Sequence, residues 1–389
     1  MHKLLFAVMG CLAAMAQAAP YIPASGKQVV ETVPRRGDSV QQDIRRLRSQ
    51  LNAHPDDVTL AASLARRYIA LARSETDPRY LGYAQAALQP WWQQPAPPSE
   101  VRLLRATVRQ STHQFSAALS DLRAVLAANP GNAQAWLTQA TVQTVQGDYA
   151  GAKASCARVS TLSIDLAAIT CLANVGAVTG KAATSEQLLD LTLARSPNAP
   201  AELKVWAWTL LAEMAQRRGD GAAAESRFRQ ALDMSPHDSY LQGAYADLLL
   251  DQGRAADVLK LLQGQERIDA LLLRRALALQ QAGQRQALQA DIRELAARFD
   301  AAGQRGDTVH QREQARFELW LRRDVPAALA LARKNWTVQK EPADLRIYLE
   351  AAAQARDAAA AKPAADWIAA HGTEDVTATR LLRQLKAGS

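Results

Sequence analysis

Along most of the chain the apolar residues recur at three- and four-residue spacing, the period of a helix with one buried face. Trp208, Leu211, Ala212 and Ala215 make one such stripe, and Ala224, Phe228 and Ala231 make the next, across a polar turn at Gly219-Asp220. Ser235-Pro236 closes the second stripe, because proline cannot continue a helix. Val, Ile and Thr do not alternate in the two-residue rhythm of strands. The pattern predicts helices joined by short turns.

The helices come in a repeat. Gly147, Gly180, Gly219, Gly253 and Gly283, each with polar neighbours, follow helical stretches at spacings of 33, 39, 34 and 30 residues. His113 stands 34 residues before Gly147 and takes the same place. A period near 34 residues is that of a helix–turn–helix unit stacked on copies of itself. Small residues fall where paired helices cross most closely: Ala106, Ala140, Ala212 and Ala246 on first helices, Ala118, Ala152 and Ala224 on second ones.

These positions, with Trp136, Tyr149, Asn129-Pro130 and the unit from Val205 to Pro236, resemble the tetratricopeptide repeat. The resemblance spans about residues 57–370 and implies an all-α fold, a right-handed α-solenoid of antiparallel helix pairs. Such a fold binds partners and is poor evidence for any particular activity. The expected organisation is a leading half-repeat helix over 39–56 and eight or nine pairs over 57–386, clearest in 99–262. In the last two pairs the crossing residue is displaced, with Arg316 and Leu349 in its place. Thr377 to Lys386 suits a short closing helix.

Composition agrees with close-packed helices, since 48% of residues are hydrophobic and only 5% aromatic. The net charge of +8 is spread along the chain among acidic residues, which argues against a nucleic-acid track. Arg102, Arg105 and Arg109 share one helical face, read as a solvated edge. The N-terminus reads as an export signal over residues 1–18: Lys3, an apolar run from Leu4 to Met15, then Ala16-Gln17-Ala18. An extended tail over 19–38 follows. Lipidation at Cys11, in Val8-Met9-Gly10-Cys11, is the alternative. Beyond the signal only Cys156 and Cys171 remain, late in one second helix and within the next first helix. They form a disulfide or lie as two small buried residues. The chain also resembles the exported repeat proteins of bacteria, which implies a periplasmic location.

No residue pattern points to catalysis. The histidines are dispersed and His310-x-x-Glu313 is a lone pair, so no metal site is expected. No phosphate loop, dinucleotide fingerprint or nucleophile elbow is present, and no cofactor is expected. Asp56-Asp57 suits a helix start.

In this fold the first helices line the concave wall. Gln134, Leu137, Thr141, Asn174, Trp206, Thr209, Glu213, Tyr240 and Asp247 are expected there. That mixture of amides, hydroxyls, carboxylates and two aromatics suits an extended peptide or protein segment. The expected function is a non-catalytic scaffold or adaptor of the bacterial envelope, with binding of envelope polysaccharide as the alternative. The register itself is testable. Ala224→Arg should destabilise the array by several kcal/mol through overpacking and a buried charge, and an unchanged melting curve would place Ala224 outside the crossing.

Overall fold

The computed structural model describes residues 25, 39–75, 77–162, 165–306 and 309–387. The expected signal over 1–18, Cys11 with it, and the tail over 19–38 apart from Ser25 lie outside them. The chain divides into two units, Met1–Arg46 and Leu47–Ser389. The expected leading helix, α1 (Ser39–Ala53), runs across the division.

The second unit is a succession of helix pairs. They are α2 (Val58–Ser74) with α3 (Arg79–Ala87) and the single turn α4 (Gln89–Trp92), then α5 (Ser99–Ser111) with α6 (Phe115–Ala128). Next come α7 (Ala133–Gln146) with α8 (Tyr149–Ser160), α9 (Asp165–Gly176) with α10 (Ala182–Ala194), and α11 (Ala201–Arg218) with α12 (Gly221–Met234). After these stand α13 (Ser239–Asp251) with α14 (Ala255–Leu261), and α15 (Asp269–Gln281) with α16 (Arg285–Gln304). The last pairs are α17 (Gln311–Phe317) with α18 (Val325–Val338) and α19 (Pro342–Ala355) with α20 (Ala358–His371), before the closing helix α21 (Val376–Ala387).

The turns show why the chain reverses where it does. Gly147 ends α7 in the left-handed region at φ 81°, and Asp148 at once caps α8, its carboxylate accepting from Gly151 N at 2.9 Å. Gly219-Asp220 repeats this between α11 and α12. In the last two pairs Arg323-Asp324 and Arg356-Asp357 do the same work without glycine. Arg323 and Arg356 take φ 61° and 53°, and the following aspartates accept from Ala327 N and Ala360 N. His113, the third non-glycine residue at positive φ among the described residues, sits at the same point between α5 and α6.

Packing follows the small residues. Ala106, Ala118, Ala152, Ala212, Ala224 and Ala246 have no exposed surface. Phe228, Leu211 and Leu249 fill the spaces beside them, each contributing about 1.5–3 kcal/mol on burial. In the last two pairs Ala315, Ala328, Ala351, Ala352 and Ala364 are fully buried, as is Leu349, whereas Arg316 is only partly buried and the small residue beside it, Ala315, takes the buried place. The slip accompanies a π-helical turn, Glu318–Arg322, that continues α17 with a wider winding.

The arginine face of α5 is not a solvated edge. Arg105 is 4% exposed and grips Asp121 of α6 through two hydrogen bonds of 2.9 and 2.7 Å. Its remaining nitrogen donates to the carbonyls of Trp92 and Gln94, which pins the Pro-rich connector. Arg109 reaches the same carboxylate at 2.8 Å. One acid, buried on α6, is what turns this stripe inward.

Cys156 and Cys171 are joined in a disulfide between α8 and α9, with Cα atoms 5.5 Å apart. A left-handed turn costs an ordinary residue about 1 kcal/mol or more, and the side chain of Arg356 is exposed. Arg356→Gly should therefore stabilise the protein by about 1 kcal/mol, read as a higher denaturation midpoint at unchanged slope.

Candidate interaction groove

The first helix of each successive pair, from α7 to α19, and then α21 face a common axis. Residues of all eight line one cavity of about 690 Å³. Stacked pairs rotate a little at each step, and here the rotation brings the chain round until later pairs touch earlier ones. Lys340 N donates to Val145 O at 2.7 Å, and Tyr149 OH to Lys340 O across 191 residues. Thr373 Oγ1 donates to Val178 O across 195 residues. Trp367 packs on Tyr149 with ring centres 5.8 Å apart, over Gly147, where a Cβ would run into the indole. Gly147 thus serves both its turn and this contact.

Of the residues expected on the concave wall, Thr141, Asn174, Trp206, Thr209, Glu213, Tyr240 and Asp247 line the cavity. Gln134 and Leu137 do not. Gln134 donates to Thr138 one turn along, and Leu137 packs in the cluster around Cys156 and Cys171. Both lie in the first two turns of α7, and the α7 residues that line the cavity begin at Thr141. Sequence reading did not find the opposite wall, made by Arg274, Arg312, Glu313, Lys340, Arg346 and Asp375. Their signal was their place on later first helices, obscured where the frame slips at α17.

Charge ties the two walls together. Asp247 and Asp251 stand one turn apart on α13, so they share a face. Asp247 receives Arg274 of α15 and Arg316 of α17, each at 2.6 Å. Asp251 receives Arg346 of α19 in a two-pronged pair at 2.7 and 2.6 Å. Burial opposes the charge on Asp247, but Arg274 and Arg316 outweigh it and hold the carboxyl down at about 2. Arg312 bonds Glu341 at 2.9 Å and lies 3.3 Å from Glu313. Burial works against its charge too, yet the surrounding carboxylates raise its pKa further.

Glu213 differs from these. Tyr240 OH donates to it at 2.6 Å, while burial pushes its carboxyl up against the pull of Arg217. The Glu213 charge in turn holds the Tyr240 phenol well above its ordinary value. Tyr240 nonetheless shows 61% of its surface, because it stands in the open space of the cavity with protein on all sides.

The arrangement is a polar, two-walled groove on an all-α solenoid, the architecture of a protein-interaction scaffold. Residues 178–298 match the tetratricopeptide repeat family model. That segment, from just past the end of α9 into α16, is similar to the tetratricopeptide repeat. The solved Cut9–Hcn1 hetero-tetramer of APC/C is similar in fold, with 11% identity over 85% of this chain and 63% of that one and a TM-score of 0.50. Human IFIT1, solved as a dimer with m7Gppp-AAAA, aligns over 90% of this chain and 86% of its own at 12% identity and a TM-score of 0.48. A tetratricopeptide repeat protein from Parabacteroides merdae aligns over 74% of this chain and 98% of its own at 15% identity and a TM-score of 0.36. No curated protein matches the sequence.

The Asp247 carboxyl sits below its ordinary value of 3.8, so its stabilisation is fully present above about pH 4 and is lost as pH falls toward about 2. Asp247→Asn should lower stability at neutral pH by about 3 kcal/mol, the cost of stranding its arginines. It should also flatten that part of the acid profile. Urea melts of both proteins across this range check it, and parallel acid profiles would count against the pairing.

Proposed function

We propose that this chain is a non-catalytic scaffold of the bacterial cell envelope that holds an extended protein segment in the axial cavity. One observation carries the reading. The wall presents two large aromatic side chains, Trp206 and Tyr240, together with the Asn174 amide and Thr141, lining a space of about 690 Å³; Tyr240 is exposed, and Trp206 is half-buried with part of its surface on the core around the disulfide. Extended segments are recognised by this combination, polar groups meeting the backbone and rings meeting side chains.

The wall sets Arg217, Arg274, Arg312, Lys340 and Arg346 among at least as many carboxylates, so it offers no cationic track of the kind phosphates require, which favours a protein over a nucleic acid. Most of the acidic groups are tied to arginines, which suits a fixed surface better than proton transfer. For the compartment, the N-terminal basic start, apolar run and small-x-small site support export. The Cys156–Cys171 disulfide fits an oxidising environment such as the periplasm.

Capture from envelope extracts tests the reading. Wild-type protein should retain one or a few proteins that the double variant Trp206→Ala, Tyr240→Ala releases. An identical captured set from both would overturn the groove as the binding surface, and retention of polysaccharide in place of protein would favour a carbohydrate partner.

A further inference from the structure

The cavity wall carries several carboxylates, and the chain satisfies nearly all of them itself. Asp247 has Arg274 and Arg316, Asp251 has Arg346, and Glu313 and Glu341 share Arg312. Asp375 accepts from Ala378 N at the start of α21. Among the described carboxylates that line the cavity, Glu213 alone has neither a cation within ion-pair distance nor a helix end to cap. Its one hydrogen bond is with a neutral phenol, Tyr240. A partly buried carboxylate left this way costs stability unless something completes it.

The surroundings say what would complete it. Trp206, Thr209 and Glu213 lie at helical spacing on one face of α11, and all three line the cavity. Tyr240, on the neighbouring first helix, holds the carboxylate through its hydroxyl and leaves its ring bare to the cavity. A carboxylate beside an exposed aromatic ring is complementary to an ammonium or guanidinium on an apolar stem, because charge and ring face both attract it. One turn further along α11, Arg217 keeps Nη2 buried with no acceptor among the described residues. A bound segment would meet that donor with a carbonyl or carboxylate of its own.

We infer that Glu213, framed by Trp206 and Tyr240, is the position that selects the bound segment, taking a lysine or arginine side chain from it. The inference rests on the groove reading above and adds the chemistry of the partner: an extended segment with a cationic residue seated at α11. Arg316 and Arg346 show the same chemistry within the chain, where arginines from later helices occupy the neighbouring carboxylates of α13.

A randomised library of acetylated, amidated octapeptides captured on the full chain, wild type and Glu213→Gln, tests it. Wild type should enrich Lys and Arg roughly tenfold over Glu at one peptide position, the scale of one charge-assisted contact. Glu213→Gln should lose that enrichment. Enrichment that survives in the variant, or enrichment of acidic residues by wild type, overturns the inference and leaves the groove reading standing. Capture of no peptide by either protein overturns both. The variant should melt no lower than wild type, since it removes a partly buried charge that has no ion-pair partner and keeps an acceptor for the Tyr240 hydroxyl. A lower melting temperature would mark Glu213 as a structural residue and overturn the assignment.

Discussion

A pair of short amphipathic helices cannot hide its own apolar surface, and every feature of this protein follows from that constraint. Each pair must stack on the next, and the stacking distance is set by alanines at the crossings. Ala212, Ala224 and Ala246 let backbones approach, and Phe228 and Leu249 take up the volume left beside them. Close approach at every step fixes the small rotation between pairs. That rotation, accumulated over α7 to α21, gathers the first helices around one axis. The groove is thus a consequence of packing, and its residues are free to be polar because the core is built elsewhere.

Polarity in the groove is ordered by sign. The walls meet through Asp247 and Asp251 on one side and Arg274, Arg316 and Arg346 on the other. Partly buried pairs of this kind add geometry more than net stability. They fix which later helix faces which earlier one, as the Lys340–Val145 and Thr373–Val178 hydrogen bonds do at the backbone. Glu213 stands apart from this pairing, which is why it draws attention as the place where something outside the chain belongs.

Much of this was legible in the sequence because repetition speaks through local residues. Glycine followed by a polar residue marked the turns, and alanine at fixed offsets marked the crossings. Seven of the wall residues followed once the frame was set. What was not legible depends on partners far away in sequence. The Arg105 face looked solvated because Asp121 lies on the next helix and only packing brings them together. The frame slipped by one at Ala315 because periodicity cannot register a π-helical turn. Arg323 and Arg356 hide the turn signal, although the aspartate after each keeps the capping half of it. The opposite wall was invisible because no repeat encodes that its neighbours nearly 200 residues on will come into reach.

The contact of Trp367 with Gly147 and Tyr149 gives this array a property that open stacks lack. Where units touch only their neighbours, length is modular, and units can be trimmed from an end with the remainder intact. Here α20 is also the roof of α7 and α8. Shortening the chain from its C-terminus would lay bare an aromatic floor in the middle of the molecule. A unit added or removed between α8 and α20 would break this contact, so the number of repeats and the closure of the array are tied together.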